Sequence, residues 1–212
     1  MKHLIIAFVV SFLVVTLPAD RATAQEAAEE AAPAMVTHPQ MVLDTSEGVI
    51  VIDLFEDRAP QSVANIIRYI EEGFYDGTIF HRVIDRFMIQ GGGFNQGMVK
   101  KEVRAGIQNE ADNGLSNVRG TVALARTGDP HSATAQFFIS TVNNDNLDHK
   151  AKTEKDWGYC VFGQVVEGMS TVDRISRTRT RTYSGMQNVP MLPIVIERAT
   201  VRRPEPAAPG GE

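Results

Sequence analysis

Side chains that could hold a peptide and act on it lie close together in the stretch Phe80–Gly92. Arg82 supplies a guanidinium and Gln90 a side-chain amide, and the bulky apolar residues Phe87 and Met88 lie between them. Arginine and glutamine are costly on a buried face unless their polar atoms are hydrogen-bonded. A cleft that holds an apolar group beside a polar peptide backbone would use this combination. The alternative is a barrel strand that carries surface charges.

Strand periodicity predicts which of these side chains share a face. Alternation places Phe80, Arg82 and Ile84 on one face of an extended segment, and Phe87 and Ile89 on one face of the next. We therefore expect two neighbouring strands here, with the guanidinium on a face that also carries apolar side chains.

Two further blocks of the chain carry a family resemblance together with this stretch. The first joins Gly120–Arg126 to Ser132–Ile139, and the second is Tyr159–Met169. In this order the blocks resemble the signature of the cyclophilin family of peptidyl-prolyl cis-trans isomerases, over about residues 40–203. The run His131–Phe138 is most similar to bacterial members. The resemblance implies a mainly β fold, a closed eight-stranded antiparallel β-barrel capped by two α-helices, with the cleft on the outer barrel face.

The resemblance also implies roles for individual residues. Arg82 matches the catalytic arginine, and Gln90 and Gln136 match the polar groups that orient the substrate backbone and the arginine. The walls of the proline pocket match Phe87, Met88, Phe138 and Leu147, and the neighbouring peptide-binding rim matches Gly97, Ala125, Arg126 and Thr127. Ordinary core packing is the alternative for each apolar member. Phe137 is predicted to be core, because on a strand it must face away from Phe138.

The implied chemistry is rotation about an X–Pro peptide bond. Amide resonance sets a barrier of about 18–20 kcal/mol, and lowering it requires no nucleophile, metal or redox cofactor. An apolar pocket must hold the pyrrolidine ring, hydrogen bonds must hold the flanking backbone, and a donor must approach the prolyl nitrogen. That donor acts only in the twisted state, so it favours the transition state selectively. We expect no cofactor and no metal.

Two positions depart from the pattern of the family. Asn146 stands where many eukaryotic members have a tryptophan that contributes to cyclosporin binding, so we expect weak sensitivity to that drug. Trp157 is near in sequence but out of register, and it is not assigned this role. Tyr159 replaces a family histidine, and its hydroxyl could still face the pocket mouth as part of the substrate-binding set.

The elements that must position these residues follow from periodicity and turn residues. A hairpin is predicted from Met41 to Phe55, a helix from Pro60 to about Gly73, and a second short helix from Gly168 to Ile175. Short strands are predicted at Thr78–Ile84, Phe87–Gln90, Gly120–Ala125, Gln136–Thr141, Gly158–Val165 and Ile194–Arg202. Many short strands with two helices fit a barrel or a sandwich, and periodicity does not separate them. Residues 91–119 are interpreted as a long loop over the cleft. The basic run Arg174–Arg181 is interpreted as a solvated helix end and loop, with an anion-binding patch as the alternative.

Other functions find less support in the chain. Ser132, His81 and Asp85 could suggest a hydrolase, but there is no nucleophile-elbow pattern. The glycines 91–93 lack the G-K-[ST] that a phosphate loop requires, and the histidines lack metal-ligand spacing. The alternative that stays open is a non-catalytic module that binds proline peptides or acts as a holdase in the same cleft.

Both ends of the chain differ in composition from the middle. We predict a cleaved signal peptide at residues 1–24, an acidic tether at 25–39, the isomerase domain at 40–203 and a Pro/Gly tail at 204–212. The apolar run Leu4–Val15 is too short to span a bilayer of about 30 Å, so no stable anchor is expected after cleavage. The predicted location is the periplasm, with the surrounding medium as second choice.

Charge and cysteine content limit the partners and the source of stability. A formal net charge of −5 gives no nucleic-acid footprint, and the lone Cys160 excludes an intramolecular disulfide. The expected partners are proline-containing peptides and unfolded exported proteins, and we expect a monomer.

Overall fold

Short strands pair edge to edge and close the chain into a barrel. The computed structural model describes residues 38–204, so the predicted signal peptide and most of the tether and tail lie outside the described residues. The strands are β1 Gln40–Thr45, β2 Gly48–Leu54, β3 Thr78–Ile84, β4 Met88–Asn95, β5 Thr121–Leu124, β6 Phe137–Ser140, β7 Val161–Glu167, β8 Thr180–Tyr183, β9 Met186–Pro190 and β10 Val195–Arg202. The α-helices are α1 Pro60–Glu71 and α2 Met169–Ser176, and short 3-10 turns occupy Ala111–Asn113 and Asp145–Leu147.

Eight of these strands form the closed barrel in the order β1-β10-β3-β4-β6-β5-β7-β2. Every neighbouring pair is antiparallel. Closure removes the free strand edges that would otherwise pair with other chains. The predicted eight-stranded antiparallel barrel with two helices is therefore confirmed. None of the helices between residues 38 and 204 is both long and apolar enough to cross a membrane.

Neighbouring side chains on β6 belong to two separate apolar clusters. Phe137 is fully buried in the main core, as predicted, whereas Phe138 belongs to a smaller cluster with Met88. On β4, Met88 and Ile89 divide in the same way. Side chains on a strand point alternately to the two faces, so the main core and the smaller cluster lie on opposite sides of the same sheet.

The predicted alternation fails at Phe80. Phe80 lies in the main core and is fully buried, whereas Arg82 is only partly buried and faces the smaller cluster side. The reason is a shift in the β3–β4 register between these two residues, a β-bulge that breaks the two-residue period. Phe87 likewise does not share a face with Ile89, because β4 begins only at Met88 and Phe87 belongs to the preceding turn.

A distant carboxylate caps helix α1. Pro60 occupies the first turn. Ala59 at the N-cap has no polar side chain to accept hydrogen bonds from the first backbone N–H groups, which have no partner within the helix. Glu110 accepts hydrogen bonds from the backbone N–H groups of Gln61 and Ser62, at 3.0 and 2.8 Å, and from the Ser62 hydroxyl at 2.7 Å. A negative group at a helix N-terminus is favourable because the helix dipole is positive there. The same hydrogen bonds fasten the loop that contains Glu110 to α1.

Replacing Glu110 by alanine is expected to destabilise the fold by about 1–2 kcal/mol, because the helix N-terminus loses its cap and the buried Ser62 hydroxyl loses its carboxylate partner. Urea unfolding measures the change. Glu102→Ala removes an exposed carboxylate from the same loop, and we expect a change within about 0.5 kcal/mol. Equal losses in the two variants would contradict the capping role.

A small hairpin replaces part of the predicted basic loop. Strands β8 and β9 pair antiparallel around Ser184 and Gly185, both at positive φ of 48° and 78°. The interpretation of Arg174–Arg181 as helix end and loop is thus wrong for its last two residues, which are in β8. All four β8 residues are exposed, so the strand has no apolar alternation by which the sequence could reveal it.

The long connection after β4 is shorter than predicted and is fastened to α1. Residues 91–95 continue β4. Farther along, the Arg104 guanidinium lies 3.7 Å from the ring centre of Tyr69 and pairs with Glu72, and the Arg104 backbone N–H donates to the Tyr69 hydroxyl at 2.9 Å. The loop therefore packs on the helix, and only part of it borders the cleft.

Candidate active site

An apolar pocket opens on the outer barrel face where the smaller cluster reaches the surface. It encloses about 220 Å³. Its lining residues are Arg82, Phe87, Met88, Gln90, Ala125, Arg126, Phe138, Leu147 and Tyr159. The structure thus brings together nine of the predicted site residues around one cavity. A pocket of this kind, apolar with a few polar groups at its edge, suits a small apolar ring attached to a polar backbone.

The floor and walls are positioned by strands and by two tight turns. Met88 and Phe138 are 2% and 4% exposed, and their strands hold them from below. Phe87 lies in a turn in which Arg86 has a φ of 53°. The Asn144 side chain donates to the Phe87 carbonyl at 3.0 Å, which ties this turn to the segment that presents Leu147. This hydrogen bond holds Phe87 and Leu147 in a defined relative position.

Tyr159 forms the remaining wall of the pocket. Its ring meets Phe138 edge to face, with ring centres 5.5 Å apart and planes at 80°. Trp157 does not take part: it packs against the main core and donates its indole N–H to the Asn109 carbonyl. Asn146 is exposed and does not line the pocket, so the weak cyclosporin sensitivity stays a prediction.

A chain of hydrogen bonds runs along the polar edge of the pocket. Arg82 donates to the Gln90 side-chain oxygen at 3.3 Å, and the Gln90 amide donates to the Gln136 oxygen at 3.0 Å. Arg82 and Gln90 are cross-strand partners in the β3–β4 ladder. Since a guanidinium has five N–H donors, Arg82 keeps donors for a ligand after it binds Gln90. The chain orients a cation beside the apolar pocket without neutralising it.

A second cavity adjoins the pocket and takes in more of the predicted residues. It encloses about 200 Å³, and Thr127 and Gln136 line it together with Gln90, Ala125 and Arg126 of the first pocket. Gly97 lines neither cavity. It is exposed in a turn, where its backbone N–H donates to the Asn95 side chain at 3.0 Å.

His81 lies behind this polar edge, and sequence reasoning gave it no role there. It is 2% exposed, and its ring centre is 4.6 Å from that of Phe94. Burial lowers the pKa of His81 to about 4, with contacts to the Ile79 backbone and the Gln136 side chain opposing the shift. The imidazole is therefore neutral at neutral pH and adds no second positive charge beside Arg82. The lack of a β-strand period around the bulge hid its burial from the sequence.

The hydrolase arrangement is not formed. The Ser132 hydroxyl donates to the Asp129 carbonyl and contacts the Thr127 hydroxyl, both at 2.7 Å. The Nδ1 atom of His81 has no hydrogen-bond partner among the described residues. Nor does any group of three or more His, Cys, Asp or Glu side chains within residues 38–204 have the placement to hold a metal ion.

Gly93→Ala is expected to lower kcat/KM about tenfold, because a Cβ at this position would lie 2.5 Å from the amide of Gln136 and displace it from Gln90. Peptide isomerisation assays measure the loss. In a Gln136→Ala background the added methyl group has room, so the same change should cost little there. Additive losses in the double variant would contradict an effect through Gln136.

Comparison with known proteins agrees with this fold. Residues 40–201 match the family described as cyclophilin type peptidyl-prolyl cis-trans isomerase/CLD. The chain is 55% identical over 159 residues to the peptidyl-prolyl cis-trans isomerase cyp18 of Streptomyces antibioticus, covering 75% of this chain and 96% of the relative. It is 54% identical over 157 residues to peptidyl-prolyl cis-trans isomerase B of Escherichia coli (strain K12), covering 74% and 96%.

A solved structure shares the fold at lower identity. The cyclophilin type isomerase of Cryptosporidium parvum, crystallised in the presence of the dipeptide Ala-Pro, superimposes with a TM-score of 0.62 at 21% identity, over 77% of this chain and 98% of that chain. The barrel of the described residues thus has the fold of a cyclophilin. The chain belongs to the cyclophilin family of peptidyl-prolyl cis-trans isomerases.

Proposed function

We propose that this isomerase acts on exported proteins as they fold, with Arg82 as the hydrogen-bond donor to the prolyl nitrogen. The observation that carries the role of Arg82 is the chain of hydrogen bonds from Arg82 through Gln90 to Gln136 beside the apolar pocket. Export is supported by the pattern of residues 1–24, a short positive start, an apolar run and small residues before Gln25.

The proposed mechanism is entirely non-covalent. The pyrrolidine ring of the substrate enters the pocket between Phe87, Met88 and Phe138, which fixes one side of the rotating bond. Gln90 binds the flanking backbone and fixes the other side. As the bond twists, the prolyl nitrogen regains its lone pair and becomes an acceptor for an N–H of Arg82. This hydrogen bond is absent in the planar ground state, so it lowers the barrier rather than tightening ground-state binding.

Arginine suits this role because of its geometry and its charge. The planar fork of the guanidinium carries a positive charge and can bind Gln90 with one N–H and the substrate with another. A lysine would offer the charge but not the fixed pair of donors.

The partners of such an enzyme are chains with slow X–Pro bonds. Unaided isomerisation takes tens of seconds and can limit folding, so catalysis matters most where chains arrive unfolded.

Refolding kinetics test the cellular role. A protein whose slow refolding phase is limited by an X–Pro bond is refolded with substoichiometric amounts of the domain, and we expect the slow phase to accelerate in proportion to enzyme concentration. If the domain instead binds the unfolded chain and does not accelerate the slow phase, the result would support the holdase alternative. The oligomeric state is measured on the same sample by sedimentation, with a monomer expected.

Location is tested separately. The full chain is expressed in a bacterium, the cell is fractionated, and the mass of the product is measured. We expect a periplasmic protein that begins at Gln25. A cytoplasmic product with residues 1–24 intact would overturn the export proposal and leave the isomerase activity unaffected.

A further inference from the structure

Arg126 lies where three cavities of the cleft meet. It lines the proline pocket, the adjoining cavity that also contacts Lys100, and a third, open cavity of about 590 Å³ that also contacts Lys155. The adjoining cavity shares Gln90 and Ala125 with the proline pocket, and the open one shares Tyr159. Side chains that flank a bound proline therefore pass Arg126 on the way to either cavity.

The guanidinium of Arg126 is held in place by uncharged partners. Its Nε donates to the Gly158 carbonyl at 2.9 Å, and its Nη1 donates to the carbonyls of Thr127 and Gly128 at 2.9 and 3.3 Å. The group lies 4.8 Å from the ring centre of Tyr159. No carboxylate among residues 38–204 forms an ion pair with it. The positive charge is thus fixed in direction and left available to a ligand.

The charges around the three cavities have the opposite sign to the chain as a whole. Arg82, Lys100, Arg126 and Lys155 line them, and Glu154, in the open cavity, is the carboxylate that faces these cations. The whole chain has 26 acidic and 21 basic residues and a formal net charge of −5. A cationic cleft in an acidic protein attracts acidic segments to the site and repels basic ones.

We propose that the cleft prefers X–Pro segments with Asp or Glu within two residues of the proline, and that Arg126 sets this preference. This inference rests on the proposed function, because the proline must occupy the pocket lined by Phe138. An extended peptide advances about 3.3 Å per residue and points successive side chains to opposite sides. Residues one or two positions from the proline are therefore the ones that reach the cavities sharing Arg126 with the pocket.

The expected preference is moderate and depends on salt. The cavities are open to solvent, and pairs between partly exposed charges are weak and screened. For a fixed guanidinium that shares each adjoining cavity with a lysine, we expect glutamate to raise kcat/KM about three- to tenfold over glutamine at low ionic strength. The advantage should shrink towards one at molar salt, because the screening length falls to about 3 Å.

Matched peptides test the proposal. Short X–Pro peptides carry Glu, Gln or Lys at each of the four positions within two residues of the proline, and kcat/KM is measured for the wild type and for Arg126→Gln, Lys100→Gln and Lys150→Gln. The Glu-to-Gln ratio should fall towards one in Arg126→Gln and fall partly in Lys100→Gln. Lys150 is exposed and lines none of the three cavities, so its variant should keep the wild-type ratio.

The outcomes separate the preference from the enzyme activity. A Glu-to-Gln ratio near one at every position, or a ratio that survives in Arg126→Gln, would overturn the proposal while the isomerase activity stands. If Arg126→Gln does not fold, the proposal is tested by the Glu-to-Gln ratio of Lys100→Gln and by the salt dependence of that ratio in the wild type. The charge preference acts on binding, so it can be tested even if no peptide is isomerised. Titration calorimetry then measures the dissociation constants of the same peptides.

Discussion

Arg82→Ala is expected to reduce the isomerisation rate of a short X–Pro peptide by about 10²–10³-fold. Loss of one preorganised donor to a charge or lone pair that develops in the transition state costs about 2.7–4 kcal/mol in other enzymes. Here the lost group is the donor beside the pocket, and its partner Gln90 lacks the charge to replace it. The measurement is the cis-to-trans relaxation of the peptide, with kcat and KM determined separately. The loss should appear mainly in kcat.

Two further arginine variants sharpen this experiment. Arg82→Lys keeps the charge but removes the fork that binds Gln90 and substrate together, so it should recover only a small part of the rate. Arg68→Ala removes an exposed guanidinium on α1, which pairs with Glu72, and should leave the rate unchanged. Full activity in a folded Arg82→Ala variant would refute the donor mechanism. If the wild type binds the peptide but does not isomerise it, the cleft is a recognition module.

Acidification is expected to destabilise the fold through His81. Its pKa is about 4 in the folded protein against an ordinary value of 6.5, so between these values the unfolded chain binds more protons. The contribution of His81 to the free energy of unfolding is therefore complete above about pH 6.5 and falls as the pH is lowered towards 4. At 1.36 kcal/mol per pH unit, the loss contributed by this residue approaches about 3 kcal/mol. Urea unfolding between pH 4 and pH 7 measures it.

His81→Gln provides the comparison, because glutamine is similar in reach and stays neutral throughout. Its absolute stability will differ, so the slope of unfolding free energy against pH is the quantity to compare. The slope between pH 6.5 and 4 should be much smaller in the variant. The carboxylates of Asp112 and Asp173 have pKa values lowered chiefly by hydrogen bonds from Lys152 and Arg119, and they lose their contribution at lower pH. Parallel slopes in the two proteins would rule out His81 as the source.

The barrel and its pocket could be predicted from the sequence because short motifs carry them. Arg82, Gln90 and Phe138 stand in segments that resemble the family, and the two-residue strand period separates Phe138 from Phe137 without further information. Local patterns sufficed where each residue's environment is set by its immediate neighbours along the strand.

What the sequence did not reveal depends on long-range contacts. The bulge between Phe80 and Arg82 arises from pairing with β4, and no residue type between them announces it. The burial of His81 follows from that bulge. The hairpin of β8 and β9 has exposed side chains on its first strand, so it lacks the apolar alternation by which strands are recognised. The cap of α1 by Glu110 joins residues 48 positions apart, a distance at which spacing rules give no guidance.

The back-to-back placement of Phe137 and Phe138 has a consequence for how such an enzyme can change over generations. The main cluster fills the barrel interior and the pocket lies outside it, so the residues at the pocket mouth are not those that fill the barrel. Substitutions at the mouth of the pocket can accumulate without eroding the margin of stability on which every further change depends. A single scaffold can in this way serve many substrates, because recognition varies on one surface of the sheet while the opposite surface stays fixed.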